Sequence, residues 1–422
     1  MHLFAPWAFI FCVSACLLLL GATAGLINSR LWVSEPLACV FLGILLGPAC
    51  LGLVALPVGE TPDATAFMRE AARITLTVAV IGAAMRVPRG WMRRQWRGMA
   101  LVLGPGMVLM WAAGVLVTWL TFGLTLGLPL LLCVLVGAAV SPTDPVLAAP
   151  IVSGSLANDM IPPALRHGIT AESGANDGLA LPFVMLPILL LQMPRGAALS
   201  TWVLHVILWQ VGVSVAFGLF AGWLTDRCVK WADRHYDVQT TSVLGIVLAL
   251  GLMTLAAMRV IGADGILAAF VAGVALNEGV EGEAAERQDR FNEAIGRFFD
   301  LPIMVLFGVA APWRAWYALG WPGVAFAVGI LLLRRLPAWF VMHRLIPWTR
   351  HRADAIFYGW FGPIGVAAVF YACHATEQTG AAQLWPIISL AVAASVLAHG
   401  TTGTPLARFL GRAFPREERP AR

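Results

Sequence analysis

Ala139-Val140-Ser141-Pro142-Thr143-Asp144-Pro145-Val146 sets two prolines and a carboxylate inside a long apolar run, and its reading decides the fold. Each proline removes a backbone donor and clashes with the preceding turn. A span covering Leu126–Val152 must therefore open near Thr143. Unwound backbone at membrane depth is tolerated only where it is buried in protein or lines a cavity. Its carbonyls and the Thr143 hydroxyl then become hard oxygen ligands. A proline kink with Asp144 capping the second half-helix is compatible with the same residues.

The next span carries Thr170-Ala171-Glu172-Ser173-Gly174-Ala175-Asn176-Asp177-Gly178. Glu172 and Asn176 are four residues apart, as are Ser173 and Asp177, so on a helix the four share one polar face. Such a face cannot look at lipid. Inserting a charge costs about 2.5–3.5 kcal/mol, which makes each intramembrane ionisable residue a functional candidate. Gly174, Ala175 and Gly178 are small enough to admit another helix backbone, which is expected to bring Thr143 and Asp144 within reach of Ser173 and Asp177. Carboxylate, hydroxyl and carbonyl oxygens suit a hard monovalent cation. A single buried carboxylate that holds either a proton or that cation is an exchange mechanism in one residue. The competing reading is a structural hydrogen-bond cluster between helices.

Leu333-Arg334-Arg335-Leu336-Pro337 places two arginines at mid-span, where they need carboxylate partners or a water-filled cavity. Glu172 is a candidate partner for either one, because arginine holds a carboxylate bidentately and keeps its proton. Trp360-Phe361-Gly362-Pro363-Ile364-Gly365 is a second interruption. Two Gly/Pro-broken segments in separate halves point to a transporter site built from discontinuous helices. Asp264, between Ala263 and Gly265, reads equally as an access residue or a loop turn.

Composition agrees. Of 422 residues, 59% are hydrophobic and 12% charged, against about 25% charged in a soluble domain. With roughly 20 apolar residues per crossing, the chain is expected to be an all-α bundle of about thirteen spans, with no room for a soluble domain. They are Pro6–Ile27, Leu31–Leu56, Ile74–Met85, Met99–Phe122, Leu126–Val152, His167–Leu191, Thr201–Leu224, Thr241–Met258, Gly262–Leu276, Leu301–Ala311, Trp321–Ile346, Ala355–Ala375 and Ala381–Leu406. The first is read as a span because no basic segment of a cleavable signal precedes it. With the C-terminus cytoplasmic and the N-terminus outside, 21 Lys and Arg fall on inner segments and 5 on outer ones, a bias that supports the count. The net charge of +5 thus reflects loop placement rather than nucleic-acid binding. The mixed charges of Asp226–Asp237 and Asn277–Arg297 read as solvated helix faces at the membrane surface. Seven cysteines lie mostly in apolar stretches without a CxxC pair and read as free buried thiols.

Ser141-Pro142-Thr143-Asp144-Pro145 followed by Glu172-Ser173-Gly174-Ala175-Asn176-Asp177-Gly178 resembles the paired signature of the monovalent cation/proton antiporters, in their sodium–proton exchanger (NhaP-like) branch. Phe361-Gly362-Pro363-Ile364-Gly365-Val366, Arg334-Arg335-Leu336-Pro337 and His399-Gly400 before Pro405 are similar to motifs of fungal plasma-membrane sodium antiporters and their bacterial relatives. The resemblance implies an inverted-repeat fold whose core crosses two broken spans, the fifth and the twelfth. It implies a core of about 99–191 and 321–408, a dimerisation scaffold of about 1–98 and 201–311, and a cytoplasmic tail, 409–422. It implies a homodimer in a bacterial inner membrane, with Na⁺, Li⁺ or K⁺ and protons as substrates and no cofactor. By position, Asp177 is the proton/cation carboxylate, Ser173 a ligand, Thr143 and Asp144 contributors, and Na⁺ sits among these four. Asn176 supports the crossing, Glu172 pairs with Arg335 or Arg334, and Asp264 matches an acidic position of the fungal relatives. The Asn176-Asp177 pair implies electroneutral exchange, one proton per cation. One departure stands out: Arg86 occupies the place of a common acid near the end of span three. The alternatives are a K⁺/H⁺ antiporter, a cation channel and, from another class, an intramembrane aspartyl enzyme using Asp144 and Asp177.

Overall fold

A computed structural model of the chain describes Ser14, Ala15, Leu18 and residues 33–152, 154–236, 240–277, 299–349 and 351–413. Most of the first expected span, nearly all of the connector 277–297 and the end of the tail lie outside these residues. Among the described residues there is no strand, and helices follow one another from α1 (Glu35–Leu46) and α2 (Pro62–Arg86) to α17 (Leu384–Ala413). Between them come α3 (Trp96–Leu126), α4 (Leu130–Ala139), α5 (Pro145–Val152), α6 (Gly154–Met160), α7 (Pro163–Leu179) and α8 (Leu181–Gln192). Then follow α9 (Arg195–Ala232), α10 (Thr240–Val260), α11 (Gly265–Asn277) and α12 (Phe299–Val309). The last group before α17 is α13 (Trp313–Leu333), α14 (Leu336–Met342), α15 (Arg352–Trp360) and α16 (Val366–Thr379).

Trp96–Leu126, Pro163–Gln192, Arg195–Ala232, Trp313–Leu345 and Leu384–Phe409 are each long and apolar enough to cross a bilayer. Several of the expected spans differ from the helices observed. Span two keeps its helix only to Leu46, because Gly47-Pro48 ends it and Gly52 turns with φ of +64°. Span three begins at Pro62 rather than Ile74, since Arg69, Glu70 and Arg73 pair with one another within the helix. Span eleven starts at Trp313, bends at Gly320 (φ +55°) and breaks again at Arg334-Arg335. The charges of 226–236 lie on a helix, where Lys230 bonds Asp226 at 3.0 Å. Cys39, Cys133 and Cys373 are buried and free as expected, whereas Cys50 and Cys228 are exposed, because the first sits in the turn after α1 and the second on the outward face of a helix.

Close backbone approaches hold the bundle. Gly43 of α1 crosses Gly308 of α12, and Gly114 of α3 crosses Gly137 of α4, in each case where a Cβ would meet the partner's backbone. α2 packs against α7, α11 and α16, and α5 against α7 and α17. Helix α7 is thereby enclosed, and its whole stretch from Gly168 to Gly178 is buried.

Candidate functional site

The first proline-flanked segment does open. α4 ends at Ala139, α5 starts at Pro145, and residues 140–144 are unwound. The second opening runs from Phe361 to Gly365, between α15 and α16. The two openings meet. The Asp144 amide donates to the Pro363 carbonyl at 2.9 Å, and the Val366 amide donates to Asp144 Oδ2 at 2.6 Å. Asp144 Oδ1 accepts from the amides of Val146 and Leu147 at 2.7 and 3.3 Å. One carboxylate thus caps the N-terminal ends of both α5 and α16, where orphan amides and the helix dipoles favour an anion. Gly365 is needed beside it, because a Cβ there would overlap the Asp144 carboxylate.

Arg334 serves the opposite ends. Its Nη1 donates to the carbonyls of Val140, Ser141 and Pro142 at 2.7, 2.9 and 3.2 Å, and its Nη2 donates to that of Gly362. The carbonyls freed by both breaks are gathered by one cation. Arg335 instead takes Glu172, with Nη1 to Oε1 at 2.6 Å and Nη2 to Oε2 at 2.8 Å, and both side chains are buried. Its Nε donates to the Tyr358 carbonyl at 2.9 Å, and its guanidinium lies over the rings of Trp339 and Tyr358. The two candidate partners of Glu172 are thereby separated.

Asp177 on α7 is fully buried, and neither of its carboxylate oxygens meets a hydrogen-bond partner from the protein. One turn away, Ser173 Oγ lies 3.1 Å from Thr143 Oγ1. Asn176 ties the first break to α7: its Oδ1 accepts from the Thr143 amide at 3.1 Å and its Nδ2 donates to Thr143 Oγ1 at 2.8 Å. Asp144 lies near enough for its charge to act on Asp177. Thr143, Asp144, Ser173, Asn176 and Asp177 therefore converge at the crossing. Within this group Asp144 is engaged by three amides, and Asp177 is the carboxylate with both oxygens open. Gly174 and Gly178 do not make this contact. They admit Phe270 and Leu267 of α11, because they sit on the face of α7 turned away from Thr143.

Asp264 makes no hydrogen bond to Thr143, Asp144, Ser173, Asn176 or Asp177. Its Oδ1 caps α11 through the amides of Ile266 and Leu267 at 2.9 and 3.4 Å. Three groups escaped the sequence reading. Tyr371 of α16 donates its hydroxyl to the Asp177 carbonyl at 2.6 Å, a contact with no signal in sequence. Asp300 at the start of α12 is buried within electrostatic reach of both Arg86 and Asp144, and it was hidden at the edge of a charged connector. An ion-pair cluster joins Arg69 to Glu377 and Glu70, and Glu70 to Arg73 at 2.9 Å, so it links α2 to α16. Among the described residues no group of three or more His, Cys, Asp or Glu forms a metal centre. The oxygen donors at the crossing are mixed ones.

Residues 15–409 match the family model described as "Sodium/hydrogen exchanger, transmembrane". The chain is 29% identical over 407 residues to Na(+)/H(+) antiporter 2 of Zygosaccharomyces rouxii, covering 89% of this chain and 50% of that protein. It is likewise 29% identical over 406 residues to a Na(+)/H(+) antiporter of Schizosaccharomyces pombe, covering 88% and 84%. The chain spans about half the length of several of these fungal relatives. Among solved structures it shares its fold with the sodium proton antiporter MjNhaP1 from Methanocaldococcus jannaschii, with a TM-score of 0.72 at 17% identity, over 96% of this chain and 98% of that one. These relatives are transporters, and the aspartyl-enzyme alternative has no counterpart among them.

Proposed function

Because the chain belongs to the sodium/hydrogen exchanger family, we propose that it is a secondary antiporter exchanging cytoplasmic Na⁺ (or Li⁺/K⁺) for external protons by alternating access. One observation carries this reading: the Asp177 carboxylate is wholly buried and has no protein donor on either oxygen. A bare carboxylate in such a place is strongly penalised, so the residue is occupied by a proton or by a cation in turn. Ser173 and Thr143 supply the neighbouring oxygens, and Asp144 adds negative charge while holding the two half-helices. Neutralising the helix ends with Asp144 and Arg334 leaves the charge of Asp177 free to be balanced by the transported ion. In this reading 99–191 and 321–408 form the core that moves against a scaffold. The scaffold mediates a homodimer, and the arginine-rich loops and C-terminus face the cytoplasm of a bacterial inner membrane.

A K⁺/H⁺ exchange is the second reading, favoured by a Shewanella relative named K(+)/H(+) antiporter NhaP2, 25% identical over 410 residues. Everted vesicles carrying the protein distinguish the readings. An acid-inside gradient is expected to collapse when Na⁺, Li⁺ or K⁺ is added, with a rank among Na⁺, Li⁺, K⁺ and Rb⁺ that names the substrate. Competition for one carboxylate further requires the apparent KM for the cation to rise as pH falls. Cation flux indifferent to a pH gradient would instead identify a channel.

A further inference from the structure

We propose that His399 and Ser395, one turn apart on α17, are positioning residues that clasp both sides of the second break and thereby set where it meets Asp144. The inference rests on the reading of the crossing as the ion site. His399 Nε2 lies 2.8 Å from the carbonyl oxygen of Trp360, the last residue of α15. Ser395 Oγ accepts from the Ile364 amide at 2.7 Å, inside the extended link. The two side chains are joined, with Ser395 Oγ 3.2 Å from His399 Nδ1. A continuous chain therefore runs from the link at Ile364, through α17, to the end of α15. Nδ1 also lies 2.8 Å from the Ser395 carbonyl, so it either accepts from the hydroxyl or, when protonated, donates to that carbonyl. The Nε2–H bond to Trp360 is made in both forms.

Position at this link matters because several of its residues serve the crossing. Gly362 gives its carbonyl to Arg334, Pro363 gives its carbonyl to the Asp144 amide, and Val366 just beyond gives its amide to Asp144 Oδ2. Packing around the link is incomplete on one side. A cavity of about 30 Å³ lies against Phe361 and Pro363, bordered by Leu147, Ile151 and His399 itself. The hydrogen bonds from α17 therefore add to the packing of the buried Phe361 and Ile364 in restraining the link. The Trp360 ring adds to the clasp by lying 5.3 Å from the His399 ring and donating its Nε1 to Thr402 at 3.3 Å.

The test compares wild type, His399→Ala, His399→Gln and Ser395→Ala by hydrogen–deuterium exchange of the purified protein and by vesicle transport. Removing the clasp is expected to raise exchange in the 361–366 segment about tenfold, with α7 and α11 unchanged. The apparent KM for the cation is expected to rise by a similar factor with little change in maximal rate. His399→Gln, whose amide N–H reaches the Trp360 carbonyl, is expected to recover most of both. Unaltered protection of 361–366 in the alanine variants overturns the proposal, and so does a loss of protection spread evenly over the bundle. If His399→Ala does not fold, Ser395→Ala decides alone, by local gain of exchange for the proposal and by none against it. Should wild-type vesicles exchange no cation, the antiport reading fails, and the clasp is still judged by the exchange of 361–366.

Discussion

Asp177→Asn is expected to reduce cation/proton exchange to the level of vesicles lacking the protein, while folded yield is kept. The amide has nearly the shape of the carboxyl group, yet it can neither bind a proton for transport nor balance a monovalent cation. Stability should hold, because the native carboxyl group makes no hydrogen bond to the protein that the replacement would lose. Measuring vesicle exchange together with the melting temperature separates this outcome from misfolding. Retained exchange in a well-folded Asn variant would remove Asp177 from the mechanism. Asp144→Asn differs in kind, since three backbone amides depend on that side chain and stability is drawn into the effect.

Glu172→Ala or Arg335→Ala should each destabilise the fold by roughly 3–5 kcal/mol, because each strands the other charge in a dry interior. The pair is bidentate, with side chains 0% and 2% exposed, so water cannot relieve the survivor. Yield and thermal stability should therefore fall more than cation affinity does, since neither residue contributes an oxygen to the group around Asp177. A double replacement by apolar residues of similar volume should be less destabilising than either single change, the sign of direct coupling. Unchanged melting temperatures in both single variants would contradict the pairing.

How far the sequence discloses this site depends on whether the determinant is local. Pro142 and Pro145 crowd Thr143-Asp144 from both sides closely enough to open a helix, and Gly362-Pro363 marks the second break, so both openings are legible. The face shared by Glu172, Ser173, Asn176 and Asp177 follows from helical periodicity alone. The assignment of the two arginines does not. The two sit at the break between α13 and α14, and only the path of that break against α7 decides that Arg335 meets Glu172 while Arg334 turns to the carbonyls. Asp144 as a cap of α5 is local and legible in the sequence, whereas its hold on Val366 of α16 spans 222 residues and belongs to the crossing. The glycines of α7 show the same limit: their smallness is evident, but the neighbour that uses it, α11, is set by packing. The mid-span ions Arg69, Glu70 and Arg73 lengthen α2 because they neutralise one another, which a hydropathy reading counts as loop.

Proton release on cation binding tests the central claim most directly. Purified protein in weakly buffered detergent solution should release about one proton per chain when saturated with the transported cation, if a single carboxylate holds the two ions in competition. Asp177→Asn, equally folded, should release none. Equal release from both proteins would place the exchanged proton elsewhere and contradict the account.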